Sequence, residues 1–72
     1  MAQNLYLNGL IRSSTPELAA FRKEFEDNYD NAAYLLGLAD RVALYAKENQ
    51  IADAYILLDE IDERILELNN GS

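Results

Sequence analysis

This sequence contains no cysteine, no histidine and no tryptophan among its 72 residues. Without cysteine there is no disulfide and no thiolate nucleophile, and without cysteine or histidine there is no conventional zinc site. The missing histidine also removes the usual general base and the catalytic triads built on it. These absences disfavour most enzyme mechanisms and leave oligomerisation as the remaining way to reinforce a small core.

Long apolar runs are also absent, since no stretch approaches the roughly 18 residues that a membrane span requires. The first residues lack the basic and then apolar pattern of a secretory signal. The lack of cysteine fits a reducing compartment. We therefore expect a cytoplasmic protein with no membrane association, or one in the host cytoplasm if the chain is viral.

Positive charge is scarce, because six Lys and Arg residues face thirteen Asp and Glu residues and the net charge is −7. Binding to phosphate backbones needs clustered Lys and Arg, so we expect no direct contact with nucleic acid. An acidic surface attracts basic surfaces over long range. The composition therefore favours a protein partner with basic character, and it indicates no cofactor.

Half of the residues are apolar, and their spacing of three and four is the helix period. We predict one all-α domain spanning residues 1–72, a small bundle of three main helices at 15–28, 31–49 and 51–69. Residues 1–14 form either an arm or a short helix, with a hairpin as the less favoured alternative. A domain this small is marginal alone, so we expect it to dimerise.

The start of the first helix has two overlapping signals. Thr15 suits the N-cap position with Pro16 at the first helical residue. Ser14 and Glu17 also have the spacing of a capping box. The two interpretations differ by one residue, and both begin a helix here.

The middle helix is predicted to be central, because it is apolar over a wide arc. One apolar stripe is Leu35, Leu38, Val42 and Tyr45, and a second is Ala32, Leu36, Ala39, Ala43 and Ala46. Its N-cap is Asp30 or Asn31. Residues 47–50 contain neither Gly nor Pro, so an antiparallel hairpin with the last helix is favoured while one long helix remains an alternative.

The last helix has the most regular apolar pattern. Its seam, which serves either the core or a dimer, is Ile51, Ala54, Leu58, Ile61, Ile65 and Leu68. This 3-4-3-4-3 spacing is typical of bundles and coiled coils. Tyr55 and Leu57 widen the apolar face, whereas Ile56 and Leu66 lie outside it and are candidates for contact with a partner.

Acidic residues are concentrated in two groups. The first is Glu24, Glu26, Asp27 and Asp30, with no basic residue between them. The second has only Arg64 against it and consists of Asp53, Asp59, Glu60, Asp62, Glu63 and Glu67. Carboxylates one helical turn apart can hold Mg²⁺ together with a phosphate substrate. Two acidic ridges can also imitate the phosphate rows of DNA and occupy a basic groove.

From these patterns we expect a non-enzymatic protein that binds another protein as a regulator, adaptor or inhibitor. A DNA-mimic inhibitor is the first alternative, and an Mg-dependent phosphohydrolase built across a dimer is the second. The residues expected to bind the partner are Tyr55, Ile56, Leu66, Asp59, Glu60, Asp62 and Glu63. No catalytic or metal-binding residues are assigned.

Overall fold

Three helices make up the part of the chain that the computed structural model describes, residues 15–71. They are α1 (Pro16–Asp27), α2 (Ala32–Asn49) and α3 (Ala52–Asn69). No strand occurs within these residues, and the predicted all-α bundle is confirmed. The expected arm or short helix at 1–14 lies outside the described residues.

Helix α1 begins with Thr15 at the N-cap position and Pro16 as the first helical residue. Thr15 has extended backbone angles, and its Oγ1 accepts a hydrogen bond from the Leu18 N–H at 3.0 Å. Pro16 occupies the first turn, where its missing N–H has no helical partner to lose. A side-chain cap of this kind contributes about 1 kcal/mol.

The connection from α1 to α2 is stabilised by two asparagines. The Asn28 N–H donates to the Glu24 carbonyl oxygen at 3.0 Å and ends α1. The Asn31 Oδ1 accepts from the Tyr34 N–H at 3.0 Å and caps α2. Of the two predicted caps for α2, the structure therefore uses Asn31 and leaves Asp30 for another contact.

The connection from α2 to α3 is two residues long and reverses the chain. Gln50 adopts the left-handed conformation, with φ 50° and ψ 52°, and its N–H donates to the Ala46 carbonyl oxygen at 2.7 Å. Ile51 follows with extended angles and is buried. Helices α2 and α3 then pack against each other along their length. The hairpin is therefore correct, and the single long helix is not formed.

The core lies between the hairpin and α1. Its largest fully buried side chains are Leu18, Leu35, Leu38, Leu57, Ile61 and Val42. Phe25 of α1 and the small residues Ala39, Ala46 and Ala54 complete the cluster. Helices α2 and α3 together supply most of the cluster and both contact α1, so the core is shared between them and is not centred on α2 alone.

The buried side of α2 is narrower than the two apolar stripes of its sequence indicate. Leu36 of the second stripe is 57% exposed, although Ala39 and Ala46 of the same stripe are buried. Successive helical residues are rotated by about 100°, and α1 and α3 cover only the side of α2 that carries Leu35 and Leu38. The side that carries Leu36 has no neighbouring helix within residues 15–71, and the expectation of burial there is wrong.

The core-facing side of α3 is rotated slightly from the predicted seam. Leu57 is fully buried, whereas Leu58 and Leu68 are only half-buried. Leu57 lies seven residues before Arg64, so both side chains are on the same side of α3, and Arg64 contacts the connection that follows α1. The approach of α1 therefore buries Leu57 in preference to Leu58.

Candidate functional site

The outer side of α3 carries two parallel stripes, each spaced four, three and four residues apart. The aspartate stripe is Tyr55, Asp59, Asp62 and Leu66, and the glutamate stripe is Ile56, Glu60, Glu63 and Glu67. All eight residues are exposed. Every residue that the sequence predicts to bind a partner belongs to one of the two stripes, which lie side by side on one helix.

The predicted seam lies on the opposite side of α3. Ile51, Ala54, Ile61 and Ile65 are buried between α2 and α3, and Leu58 and Leu68 pack against the same cluster. Their apolar surface is therefore used inside one chain. The exposed apolar surface of α3 consists instead of Tyr55, Ile56 and Leu66, of which Leu66 is 62% exposed.

Four carboxylates in the stripes have no partner of opposite charge within residues 15–71. They are Asp59, Glu60, Asp62 and Glu63. Because like charges one turn apart repel each other, this arrangement is unfavourable in the isolated chain. The repulsion would be relieved by a positively charged surface placed against α3.

The first acidic group is different, because three of its four members have basic partners. Glu24 pairs with Arg41 of α2 at 2.8 Å, and Asp27 pairs with Lys23 at 3.5 Å. Asp30 pairs with Arg64 of α3. The interpretation of this group as an uncompensated ridge is therefore wrong. Two of its counter-charges come from other helices, which the local sequence could not reveal.

Arg64 is the most highly connected of these bases. Its Nε donates to the Tyr29 carbonyl oxygen at 2.9 Å, and its Nη1 donates to Glu67 at 3.1 Å. Its Nη2 donates to Asp30. The guanidinium carbon lies 4.0 Å from the centre of the Tyr29 ring. Arg64 thus attaches the connection between α1 and α2 to the C-terminal half of α3.

Arg41 makes a second link, between α2 and α1. Its Nη2 donates to Glu24, which also accepts a hydrogen bond from the Tyr34 hydroxyl. These two hydrogen bonds, first from Tyr34 and then from Arg41, hold the pKa of Glu24 below its ordinary value of 4.5. The network orients α1 on the hairpin and does not extend to either stripe of α3.

A surface cleft of ≈ 230 Å³ lies between the end of α1 and the glutamate stripe. It is lined by Phe25, Tyr29, Glu60, Glu63, Arg64 and Glu67. The Phe25 and Tyr29 rings are 5.3 Å apart between centroids, inclined at 58°. Sequence reasoning missed this cleft, because its aromatic and acidic walls come from helices separated by some thirty residues of chain.

Neither metal-binding nor membrane-spanning features are found in residues 15–71. No group of three or more Asp or Glu side chains there could hold a metal ion. None of the three helices has both the length and the apolar content needed to cross a bilayer.

Comparison with protein-family models, with curated protein sequences and with solved structures finds no match to this chain. Function must therefore be inferred from the surfaces of the molecule itself.

Proposed function

We propose that this protein is a non-enzymatic regulator, adaptor or inhibitor that binds another protein through the outer side of α3. One observation carries the proposal. Four carboxylates without a partner in the described chain, Asp59, Glu60, Asp62 and Glu63, lie between exposed apolar side chains on a single helix. A surface that combines uncompensated charge with exposed apolar groups gains free energy from a partner that satisfies both.

The apolar side chains supply affinity in this proposal. Tyr55 and Leu66 lie at the two ends of the aspartate stripe, and Ile56 begins the glutamate stripe. Full burial of a large apolar side chain contributes about 1.5–3 kcal/mol, and tyrosine is enriched at interfaces because its ring is apolar and its hydroxyl is polar. The partner is expected to present a complementary apolar groove.

The carboxylates supply selectivity and association rate. The net charge of −7 and the unpaired acids of α3 favour a partner with a basic surface. Complementary charge increases the association rate and disfavours acidic competitors. Because the acids are exposed, binding is expected to weaken with salt without being abolished, provided that the apolar contacts persist.

A DNA-mimic inhibitor remains the alternative proposal, using the same four carboxylates. Its support is reduced by the ion pairs of Glu24, Asp27 and Asp30, which leave α3 as the one extended row of unpaired acids within residues 15–71. In that case the carboxylates would supply most of the affinity, and high salt would remove nearly all binding.

We also propose that the chain forms a homodimer and that it is located in the cytoplasm. The buried position of the α3 seam directs any homodimer to other surfaces, such as the side of α2 that exposes Leu36 and Leu44. Sedimentation equilibrium of the purified chain would test for a dimer, and a tagged chain in its own cells would test the location.

The proposal is tested by capturing partners from a lysate of the source or host with three forms of the tagged chain. The forms are the unaltered chain, the α3 variant Tyr55→Ser/Leu66→Ser, and the matched α2 variant Leu36→Ser/Leu44→Ser. We expect one protein to be retained by the unaltered chain and the α2 variant and lost with the α3 variant. Equal capture by all three forms, or capture of no protein at all, would contradict the proposal.

A further inference from the structure

We propose that the cleft beside the glutamate stripe receives one positively charged side chain, Arg or Lys, from the partner protein. This inference rests on the proposed function, because it names the part of the partner that enters the cleft. The juxtaposition that carries it is two aromatic rings, Phe25 of α1 and Tyr29 of the connection after it, beside two unpaired glutamates of α3, Glu60 and Glu63.

The aromatic wall is suited to a cation. A guanidinium or ammonium group is attracted to the face of an aromatic ring within about 6 Å of its centre. Tyr29 is 44% exposed and Phe25 lies behind it, largely buried. Arg64 already covers one face of this ring, so a group that enters from solvent meets the part of Tyr29 that Arg64 leaves exposed.

The chain itself already shows that this ring accepts a guanidinium. The guanidinium carbon of Arg64 lies 4.0 Å from the Tyr29 ring centre, and Arg64 itself lines the cleft. Arg64 is paired with Asp30 and Glu67, so it does not neutralise Glu60 or Glu63. These two carboxylates remain available to a second cation.

The size of the cleft favours a side chain over a free small molecule. Ligand pockets for small molecules usually enclose about 300–1,000 Å³, whereas this cleft measures ≈ 230 Å³ and is open to solvent. One water takes about 30 Å³, so the cleft has room for several waters or for one long, unbranched side chain. Lys and Arg have this shape and also supply the complementary charge.

The test is a titration of the isotope-labelled full chain, followed by nuclear magnetic resonance, with the probe acetyl-Ala-Arg-Ala-amide. The same peptide with citrulline in place of arginine is the neutral control. We expect the arginine peptide to shift the amide signals of Tyr29, Glu60 and Glu63, and the citrulline peptide to leave them unchanged.

Two pairs of variants separate the cleft from general electrostatics. Glu60→Gln/Glu63→Gln removes the acids of the cleft, and Asp59→Asn/Asp62→Asn removes the same charge from the neighbouring stripe, which does not line it. Glu60→Gln/Glu63→Gln should weaken binding of the arginine peptide about fivefold, because two exposed ion pairs are lost. Asp59→Asn/Asp62→Asn should change the affinity by less than twofold. Similarly, Tyr29→Leu should weaken binding more than Tyr55→Leu.

Equal shifts with the citrulline peptide, or equal weakening by the two acid variants, would overturn the inference. The absence of any shift at about 50 mM peptide would also overturn it, because that concentration is well above the millimolar range of weak binding. Concentration-dependent shifts at the cleft without peptide would instead assign the occupant to a second copy of this chain and would also overturn it. The titration needs no cellular partner, so its outcome is independent of the capture experiment. Retention of a partner together with failure of the titration would reject the cleft and leave the proposed function standing.

Discussion

The guanidinium of Arg64 on α3 lies over the ring of Tyr29, 4.0 Å from its centre, and its Nε donates to the carbonyl oxygen of the same residue at 2.9 Å. One side chain thus contacts both the ring and the backbone of the connection between α1 and α2. Since α1 has far fewer contacts with the hairpin than α2 and α3 have with each other, this attachment is important for holding α1 in place.

Arg64→Gln is therefore expected to destabilise the bundle. The change removes a charged hydrogen bond to a backbone carbonyl and the contact with the Tyr29 ring. We expect the melting temperature to fall by about 4–8 °C, the range for a moderate loss in a domain of this size. The measurement is thermal unfolding followed by circular dichroism.

The matched control for Arg64 is Arg22→Gln on α1. Arg22 is exposed, and it has no ion pair or side-chain hydrogen bond within residues 15–71. Its replacement should leave the melting temperature nearly unchanged. Equal losses from the two variants would show that net charge, and not the contact with Tyr29, causes the effect.

Glu24 is expected to make stability depend on pH. Its pKa is lowered in the folded chain by hydrogen bonds from Tyr34 and Arg41. It therefore contributes stability that is fully present above its ordinary pKa of 4.5 and is lost as the pH falls through the lower folded value. The unfolding free energy of the unaltered chain should exceed that of Glu24→Gln at pH 7, with the difference shrinking at pH 3.

Glu26→Gln serves as the control for this pH dependence. Glu26 is on the same helix, is exposed, and has no hydrogen bond from its side chain to residues 15–71. In denaturant unfolding at pH 7, Glu26→Gln should therefore lack the loss of stability that Glu24→Gln shows. A similar pH-dependent difference for Glu24 and Glu26 would contradict the role of the Arg41 network.

Gln50→Gly is expected to stabilise the hairpin. A residue with a Cβ pays about 1–2 kcal/mol in the left-handed conformation, and Gln50 has φ 50°. Glycine relieves this strain but adds flexibility to the unfolded chain, so we expect a net gain of about 0.5 kcal/mol. Lys47→Gly, in the last turn of α2, should instead lose about 1 kcal/mol in the same denaturant titration.

Gly37→Ala is expected to stabilise α2 by about 1 kcal/mol, the usual difference between these residues in a helix. Apart from the adjacent residues and the helix's own backbone, no atom of residues 15–71 lies within 4 Å of a Cβ placed at Gly37, so no clash with them offsets the gain. Denaturant unfolding at two protein concentrations measures the effect. A loss of stability would indicate that another copy of the chain packs closely against this side of α2.

Much of the fold could be predicted from the sequence because helix signals are local. Thr15, Pro16 and Asn31 act through neighbouring backbone groups, and the spacing of apolar residues gives the helical period. The turn at Gln50 was harder to predict, because no Gly or Pro marks it. Its position depends on the packing of α2 against α3, which requires the chain to reverse there.

The candidate site was only partly predictable, because the signals that a sequence carries are local. The exposed positions of Ile56 and Leu66 follow from helical spacing alone. The cleft and the pairing of Glu24 and Asp30 depend on contacts between helices, so no local pattern indicates them. Leu36 was misjudged because an apolar stripe does not show whether the chain has another helix to cover it.

The central claim is that the outer side of α3 binds the partner, and the most direct measurement is the dissociation constant of the captured partner for purified variants. Isothermal titration would compare the unaltered chain with the α3 variant Tyr55→Ser/Leu66→Ser and the α2 variant Leu36→Ser/Leu44→Ser. We predict at least a tenfold loss of affinity for the α3 variant, since each central apolar contact contributes about 1–2 kcal/mol, and less than a twofold change for the α2 variant. A tenfold loss in the α2 variant with an unchanged α3 variant would contradict the account and place the binding surface on α2.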